Sequence, residues 1–397
     1  MVSFSKGLAV SLAERYDPPG FLNREKSAMF FVGYFRLAAL VLVSGALVLA
    51  DGATPGCWEV LKVAFPRIDR DKDGSLSLAE IDQSVADPGF RGAEAAGLVA
   101  LRRGIRAHKA EKGPWRWDDL ERLAKNAPVG KSKPPDLESY HRAALRRIAA
   151  ADTGLFSPSG PRLESIHQGR LGDCFCLAPL GAMTHRDPWR VRWLFTEARD
   201  GVVSVRIGGE TVEVPPLTDG EKALVASTSG EGRWVPLYEK AMGILIARKK
   251  GMGTPLGSVG SGGSTGTALS LLTGKPIERF SLKDWKQPGA DRKSLEPKLA
   301  KLREGLGRAM AEGRLVCGGT GANVKVPGVN GNHAYAVLAY DPMSDKVTFW
   351  NPHGQTFNPK GPEGTANGYR TRKGVFEAPL NEVAEWFGGF SWEKPGA

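Results

Sequence analysis

The stretch "QGRLGDCFCLAPLGAM", residues Gln168 to Met183, decides how this chain is read. It holds two of the four cysteines, Cys174 and Cys176, directly after a turn punctuated by Gly169 and Gly172. The run that follows is apolar enough for a buried helix. Asp173 is placed to cap that helix, which puts Cys174 in its first turn. Unsatisfied N–H groups and the helix dipole favour an anion there, so a thiol with a lowered pKa is expected. Cys176 lies two positions on and points to another side of the helix. With no second cysteine pair to complete four ligands, a zinc site is not expected, and Cys176 reads as core. Pro179 lacks an N–H and is expected to kink the helix after its first turn.

A thiolate nucleophile needs a base, a group that orients the base, and a donor for the oxyanion. "GVNGNHAYAVLAYDP" puts His333 at the start of an alternating, strand-like run, and "KVTFWNPHG" puts Asn351 at the end of another. The "DPMSD" between them reads as a hairpin turn, so the two strands should be antiparallel neighbours with His333 and Asn351 at one edge. An Asn carbonyl there can accept the imidazole N–H. Gln168, on the loop before the helix, can donate its side-chain amide to the oxyanion beside the backbone N–H of Cys174. His353, two residues from Asn351, competes as a base. The glycine-rich "GSVGSGGSTG" forms no phosphate-binding motif, because Leu269 and Pro276 stand in the wrong places, and it reads as a cleft-lining loop.

These residues resemble the calpain-type cysteine peptidases. "QGRLGDCFCLAPL", "HAYAVLAYD" and "FWNPHG" are similar to the family's three catalytic blocks. "RWVPLYEKAMG", "SGGSTGTALSLLTGKPIE" and "GVFEAPLNEVAEWFGGF" are similar to further blocks in the same order, so the resemblance runs from about 155 to 392. It implies a papain-like α+β core in two subdomains, one carrying Cys174 and Gln168, the other His333 and Asn351, with the cleft between them. It implies hydrolysis of protein or peptide substrates. Phe175 and His353 stand where the family has cleft-lining tryptophans, and Ser165 stands where it has an Asp of a core calcium site. A calcium switch in the core itself is therefore not expected. The same departures motivate a rival reading, a catalytically degenerate, calcium-responsive binding module.

A second motif lies upstream. "IDRDKDGSLSLAEI" matches D-x-D-x-D-G-x5-E at Asp69, Asp71, Asp73, Gly74 and Glu80, an EF-hand calcium loop. Ca²⁺ takes six to eight hard oxygens, and alternate residues on a tight loop supply them. Asp69, Asp71 and Asp73 offer carboxylates, Ser75 its carbonyl, Ser77 a side chain or bridging water, and Glu80 both carboxylate oxygens. The flanks show helical spacing. The segment from Ala93 to Ala124 reads as a degenerate partner hand, with Trp115 and Trp117 on its strand.

Composition bounds the rest. At 397 residues the chain is long enough for two or three domains, and four cysteines are too few for a disulfide scaffold. The net charge of +11 is concentrated in 101–150, with 13 Lys/Arg against 6 Asp/Glu. No nucleic-acid-binding module accompanies it, so a solvated helix face is expected and nucleic acid is not. Residues 30–50 are apolar except for Arg36, which leaves 14 uncharged residues after it. That suits a signal-peptide core or membrane anchor, so export or membrane attachment is expected. The expected organisation is a leader at 1–50, a small all-α EF-hand domain at 51–127 and a linker at 128–154. The protease subdomains follow at 155–258 and 259–397.

Overall fold

A computed structural model describes residues 55–107, 113–124, 136–251, 253–286 and 292–395; the leader at 1–50 and the stretch 126–135 lie outside them. Among the described residues no helix is long and apolar enough to cross a membrane.

The N-terminal part is helical. In order it contains α1 (Cys57–Ile68), β1 (Ser75–Leu76), α2 (Leu78–Val85), α3 (Gly92–Ala107), β2 (Trp115–Arg116) and α4 (Trp117–Ala124). Helix α1 buries Cys57, Val60, Leu61, Ala64 and Ile68, a single stripe at helical spacing. The chain then turns through Lys72 and Gly74, whose φ angles of 60° and 78° fall in the left-handed region that glycine adopts without strain. Ser77 caps α2: its hydroxyl accepts from the Glu80 N–H at 3.2 Å, and the Glu80 carboxylate accepts from the Ser77 N–H at 2.8 Å. β1 pairs antiparallel with β2, Leu76 opposite Trp115. Trp117 was expected on that strand and instead opens α4, where its ring lies 4.3 Å from Trp58 and 5.0 Å from Phe65.

The expected linker at 128–154 is corrected by helix α5 (Leu137–Ala149). Asp136 caps it, accepting from Ser139 N–H at 2.8 Å, and Leu137, His141 and Ala144 are buried. Leu137, Tyr140, His141, Ala144, Leu145 and Ile148 share one face, a pattern hidden by the surrounding Arg and Lys. The Cys57 N–H donates to Glu138 at 2.7 Å, and His141 Nε2 pairs with the Ala93 carbonyl at 3.1 Å. The basic segment is thus partly a packing element.

The Cys-bearing half follows: α6 (Cys174–Arg186), α7 (Pro188–Arg192), a meander of β3 (Phe195–Glu197), β4 (Val203–Ile207) and β5 (Glu210–Val214), then α8 (Asp219–Leu224), α9 (Trp234–Lys250), α10 (Pro255–Val259) and α11 (Thr265–Thr273). The remaining elements are β6 (Ile277–Ser281), α12 (Arg292–Ala311), β7 (Val316–Thr320), β8 (Ala334–Asp341), β9 (Lys346–Trp350), β10 (Val375–Pro379), α13 (Leu380–Trp386) and β11 (Phe387–Glu393). Their strands form one antiparallel sheet in the order β10-β9-β8-β7-β11-β6. β8 and β9 are a hairpin closed at Asp341 opposite Lys346. His333 immediately precedes β8 and Asn351 immediately follows β9, as their sequence patterns predict.

Helix α6 joins the halves. It is buried from Phe175 to Thr184 and continuous through Pro179. It packs against α11 on one side and β8 on the other, in one apolar cluster with Ala334, Ala336 and Trp350. Gly181 makes that approach possible, because a Cβ there would sit 2.3 Å from the Trp350 ring. Gly181→Ala should therefore destabilise the chain by about 1–3 kcal/mol through overpacking, despite Ala's better helix propensity. Urea denaturation checks this, and an unchanged midpoint would mean that the helix and sheet are not held this close.

Candidate active site

Four side chains singled out in the sequence come together where α6 meets the open edge of the β8–β9 hairpin. His333 Nε2 lies 2.8 Å from Asn351 Oδ1, and both residues are buried. The identity of the Asn351 atoms follows from their other partners. Oδ1 also accepts from the His353 N–H at 3.0 Å, while Nδ2 donates to Asn330 Oδ1 at 3.0 Å. Oδ1 is thus an acceptor, Nε2 carries the imidazole proton, and Nδ1 keeps its lone pair.

Cys174 is half-buried and free at the start of α6. The backbone N–H of Ala334, the residue after His333, lies close enough to its sulfur to favour the thiolate. The Gln168 N–H donates to the Pro352 carbonyl at 2.8 Å, which ties the Gln168 loop to the turn after Asn351. The Cys-bearing and His-bearing halves are therefore tied to one another at the site.

Gln168 itself sits differently from expectation. Its Nε2 donates inward, to the Leu171 carbonyl at 2.9 Å and to Asp173 Oδ1 at 3.1 Å, and its buried Oε1 has no partner. Asp173 occupies the cap position of α6, but its carboxyl turns into the core instead of capping the helix. There it meets Glu239 of α9, also fully buried, whose carboxyl accepts from the Ala226 N–H at 2.8 Å. Burial pushes both acids up, and the two carboxyls interact directly. Spacing arguments missed this pair, because the two residues are 66 positions apart. The signal was present in the resemblance, since Asp173 and Glu239 both lie within quoted blocks.

The electrostatics are those of a dry site. Burial pushes the Cys174 thiol up, outweighing the N–H of Ala334, and the neighbouring Asp173 adds to the effect. The lowered thiol pKa expected from the helix terminus is not found, because desolvation exceeds what first-turn N–H groups return. Burial and the neighbouring His353 hold His333 down at about 4, against the opposing Asn351 hydrogen bond. His333 and His353 stack with centroids 4.6 Å apart and planes 10° from parallel.

A model of the calpain family of cysteine proteases matches residues 128–362. The chain belongs to that family. No curated protein matches it. The match begins ahead of α5 and ends before β10, so it starts earlier than the resemblance read at 155–392. In this calpain-family chain the two missing tryptophans have defined replacements. Phe175 is buried, and the glycine-rich segment crosses it so closely that a Cβ on Gly263 would sit 2.5 Å from its ring. His353 stacks on His333, and a positive charge on it opposes protonation of His333. Ser165, at the family's calcium-ligand position, donates its hydroxyl to the Arg162 carbonyl at 2.7 Å.

The residues of the upstream motif are also grouped. Single carboxylate oxygens from Asp69, Asp71 and Asp73 lie within 4.8 Å of one another. Glu80 Oε1 accepts from the Arg70 N–H at 2.8 Å, and Oε2 accepts from the Ser77 hydroxyl at 2.8 Å. Asp73 accepts from the Ser75 N–H and hydroxyl, both at 2.7 Å. Asp69 Oδ2 accepts from the Gly74 N–H at 3.1 Å, while its buried Oδ1 has no partner.

The stacked imidazoles set a measurable pKa. In an NMR titration His333 should stay neutral to about pH 4. His353→Phe removes the neighbouring positive charge and should move that midpoint upward. A midpoint unaffected by the substitution would show that burial alone holds His333 down.

Proposed function

We propose that this calpain-family protein is a cysteine endopeptidase in which Cys174 is the nucleophile, His333 the base and Asn351 its orienter. The observation that carries the reading is the 2.8 Å contact between His333 Nε2 and Asn351 Oδ1. It leaves Nδ1 as the nitrogen able to take a proton from the Cys174 thiol. With Nδ1 protonated, the sulfur lone pair attacks the peptide carbonyl carbon and the carbonyl electrons move onto oxygen. The Cys174 backbone N–H, in the first turn of α6, donates to that oxyanion. Gln168 joins it by rotating one N–H away from the Leu171 carbonyl, with Asp173 holding the rest of the amide in place. As the C–N bond breaks, Nδ1–H protonates the leaving amine. The thioester is then hydrolysed by water, which gives its proton to Nδ1, and the thiolate departs and recovers that proton.

Cys174→Ala should reduce casein hydrolysis to background and abolish labelling by iodoacetamide or an epoxide inhibitor. Full hydrolysis by that variant would end the proposal. One observation favours the rival reading of a degenerate, calcium-responsive binding module: burial holds the Cys174 thiol up. An alkylation rate at Cys174 no faster than that of an ordinary free thiol, with no casein cleavage, selects that reading.

We also propose that the loop from Asp69 to Glu80 is an EF-hand that holds Ca²⁺. The partnerless, buried Asp69 Oδ1 beside two further carboxylates supports this, as an acceptor of that kind is costly without a cation. Asp69, Asp71 and Asp73 would hold the ion with Ser75 and Glu80, and with Ser77 directly or through water. Calorimetry should show Ca²⁺ uptake by the wild type that Asp69→Ala loses. Equal uptake by both would refute the assignment. Comparing casein hydrolysis of the two proteins at controlled Ca²⁺ then separates regulation from structural support.

A further inference from the structure

On the Cys-bearing half, lined by none of Cys174, His333 and Asn351, the chain forms a cavity of about 740 Å³. Its walls come from the C-terminal turns of α5, from Arg170, from the segments flanking α8, and from the loop ahead of α9. Among the described residues, five cationic side chains line it, Arg146, Arg147, Arg170, Lys222 and Arg233, against a single carboxylate, Asp152. Asp152 is already engaged, accepting from the Thr228 hydroxyl at 2.7 Å.

The cations are poorly compensated. Arg147 donates to the carbonyls of Ala223, at 2.9 Å, and Val225, with no carboxylate partner. Among the described residues, Arg146 and Arg170 make no side-chain hydrogen bond or ion pair. Among the described residues Arg233 pairs with the exposed Glu197, at 3.4 Å, and its buried Nε has no partner. Lys222 is the exception, paired with Asp219 at 2.9 Å. The buried Glu239 acts on Arg147 through its field without a hydrogen bond or ion-pair contact, and burial pushes its carboxyl up towards the neutral form. Between the cations the lining is apolar at Leu217, Val225 and Pro236 and hydroxylated at Ser227 and Thr228.

Like charges gathered around a concave, partly apolar wall repel one another until an anion enters. Arginine forks match phosphate and carboxylate oxygens, and the cavity has the size of small-molecule sites. We propose that this cavity binds a small organic polyanion, a molecule carrying two or more phosphate or carboxylate groups on a compact apolar frame. The bound anion bridges Arg146 on α5 and Arg170 on the loop between Gln168 and Cys174, with Arg233 and Arg147 at its inner end. The site is independent of the proposed peptidase chemistry, since it uses none of its groups.

The test is calorimetry and thermal unfolding of the full chain with pyrophosphate, citrate and ATP as probes. Phosphate and carboxylate sources are distinguished by which probe binds. One-site saturation with Kd below about 1 mM is expected for at least one probe, with a rise in Tm. Arg146→Ala/Arg170→Ala should weaken it by about tenfold or more, the loss of two charge-assisted contacts. Leu217→Trp, which fills the cavity without removing charge, should weaken it as well. Lys249→Ala/Lys250→Ala, which removes two charges from the end of α9 outside the cavity, should not. Absence of saturation at 10-fold higher probe concentration (about 10 mM) overturns the proposal. So does equal weakening by the Lys249/Lys250 control, which would mean diffuse attraction to a chain of net charge +11. Because the readout is binding, Cys174→Ala protein serves equally well, and failure here leaves the peptidase reading untouched.

Discussion

The structure depends on how closely one buried helix can approach one hairpin. Helix α6 enters between α11 and the six-stranded sheet with Gly181 against the Trp350 ring. Trp350 is the last residue of β9, so the same contact that seats the helix also fixes where Asn351 leaves the strand. About two helix turns N-terminal to Gly181, the chain reaches Cys174, beside Ala334 at the start of β8. Three groups distant in sequence are thus placed by a single packing distance. Protein interiors are close-packed and respond to a methyl group, so the site inherits the stiffness of the core beneath it.

That stiffness has an electrostatic counterpart. Burial shifts the ionisable groups at the site towards their neutral forms, and neighbouring groups modify each shift. His333 is held down beside His353, the Cys174 thiol is held up despite a backbone N–H, and Asp173, its carboxyl pushed up by burial beside Glu239, accepts from Gln168. A buried carboxylate pair with no proton would cost several kcal/mol, whereas one proton between them makes a strong internal hydrogen bond. The resulting order is transmitted outward: Glu239 holds the Ala226 N–H, and Asp173 holds Gln168 against the loop that meets Pro352.

The N-terminal helices are welded to this half by the same kind of contact. Val85, the last residue of α2, accepts from the Thr218 hydroxyl at 2.7 Å, and the Gly92 N–H donates to Asp219 at 3.0 Å. Thr218 in turn donates its N–H to Glu221, whose carboxylate forms a buried ion pair with Lys240 at 2.7 Å. Breaking one partner of such a pair is far more damaging than the pair is stabilising, so α8 is fixed from two sides. The two-residue strand pairing of β1 with β2 then determines how the acidic loop is presented, because neither strand is long enough to persist alone.

Much of this was legible in the sequence because it is local. The 2-residue alternation in "AYAVLAYD", the hairpin after it, and the helix opening at Cys174 all follow from patterns within ten positions, and each appears where its residues predict. The acidic loop was legible for the same reason, its spacing being set by one turn. What escaped is non-local or masked. Helix α5 was hidden because a buried face of Leu137, His141 and Ala144 is diluted by arginines that face solvent or a cavity. The inward turn of Gln168 and Asp173 could not be read from their own stretch, because it is decided by Glu239 on another helix. The thiol's raised pKa was missed for a quantitative reason. A helix terminus offers it a few partial charges, whereas burial removes the whole of its hydration, and only the packed structure says how complete that burial is.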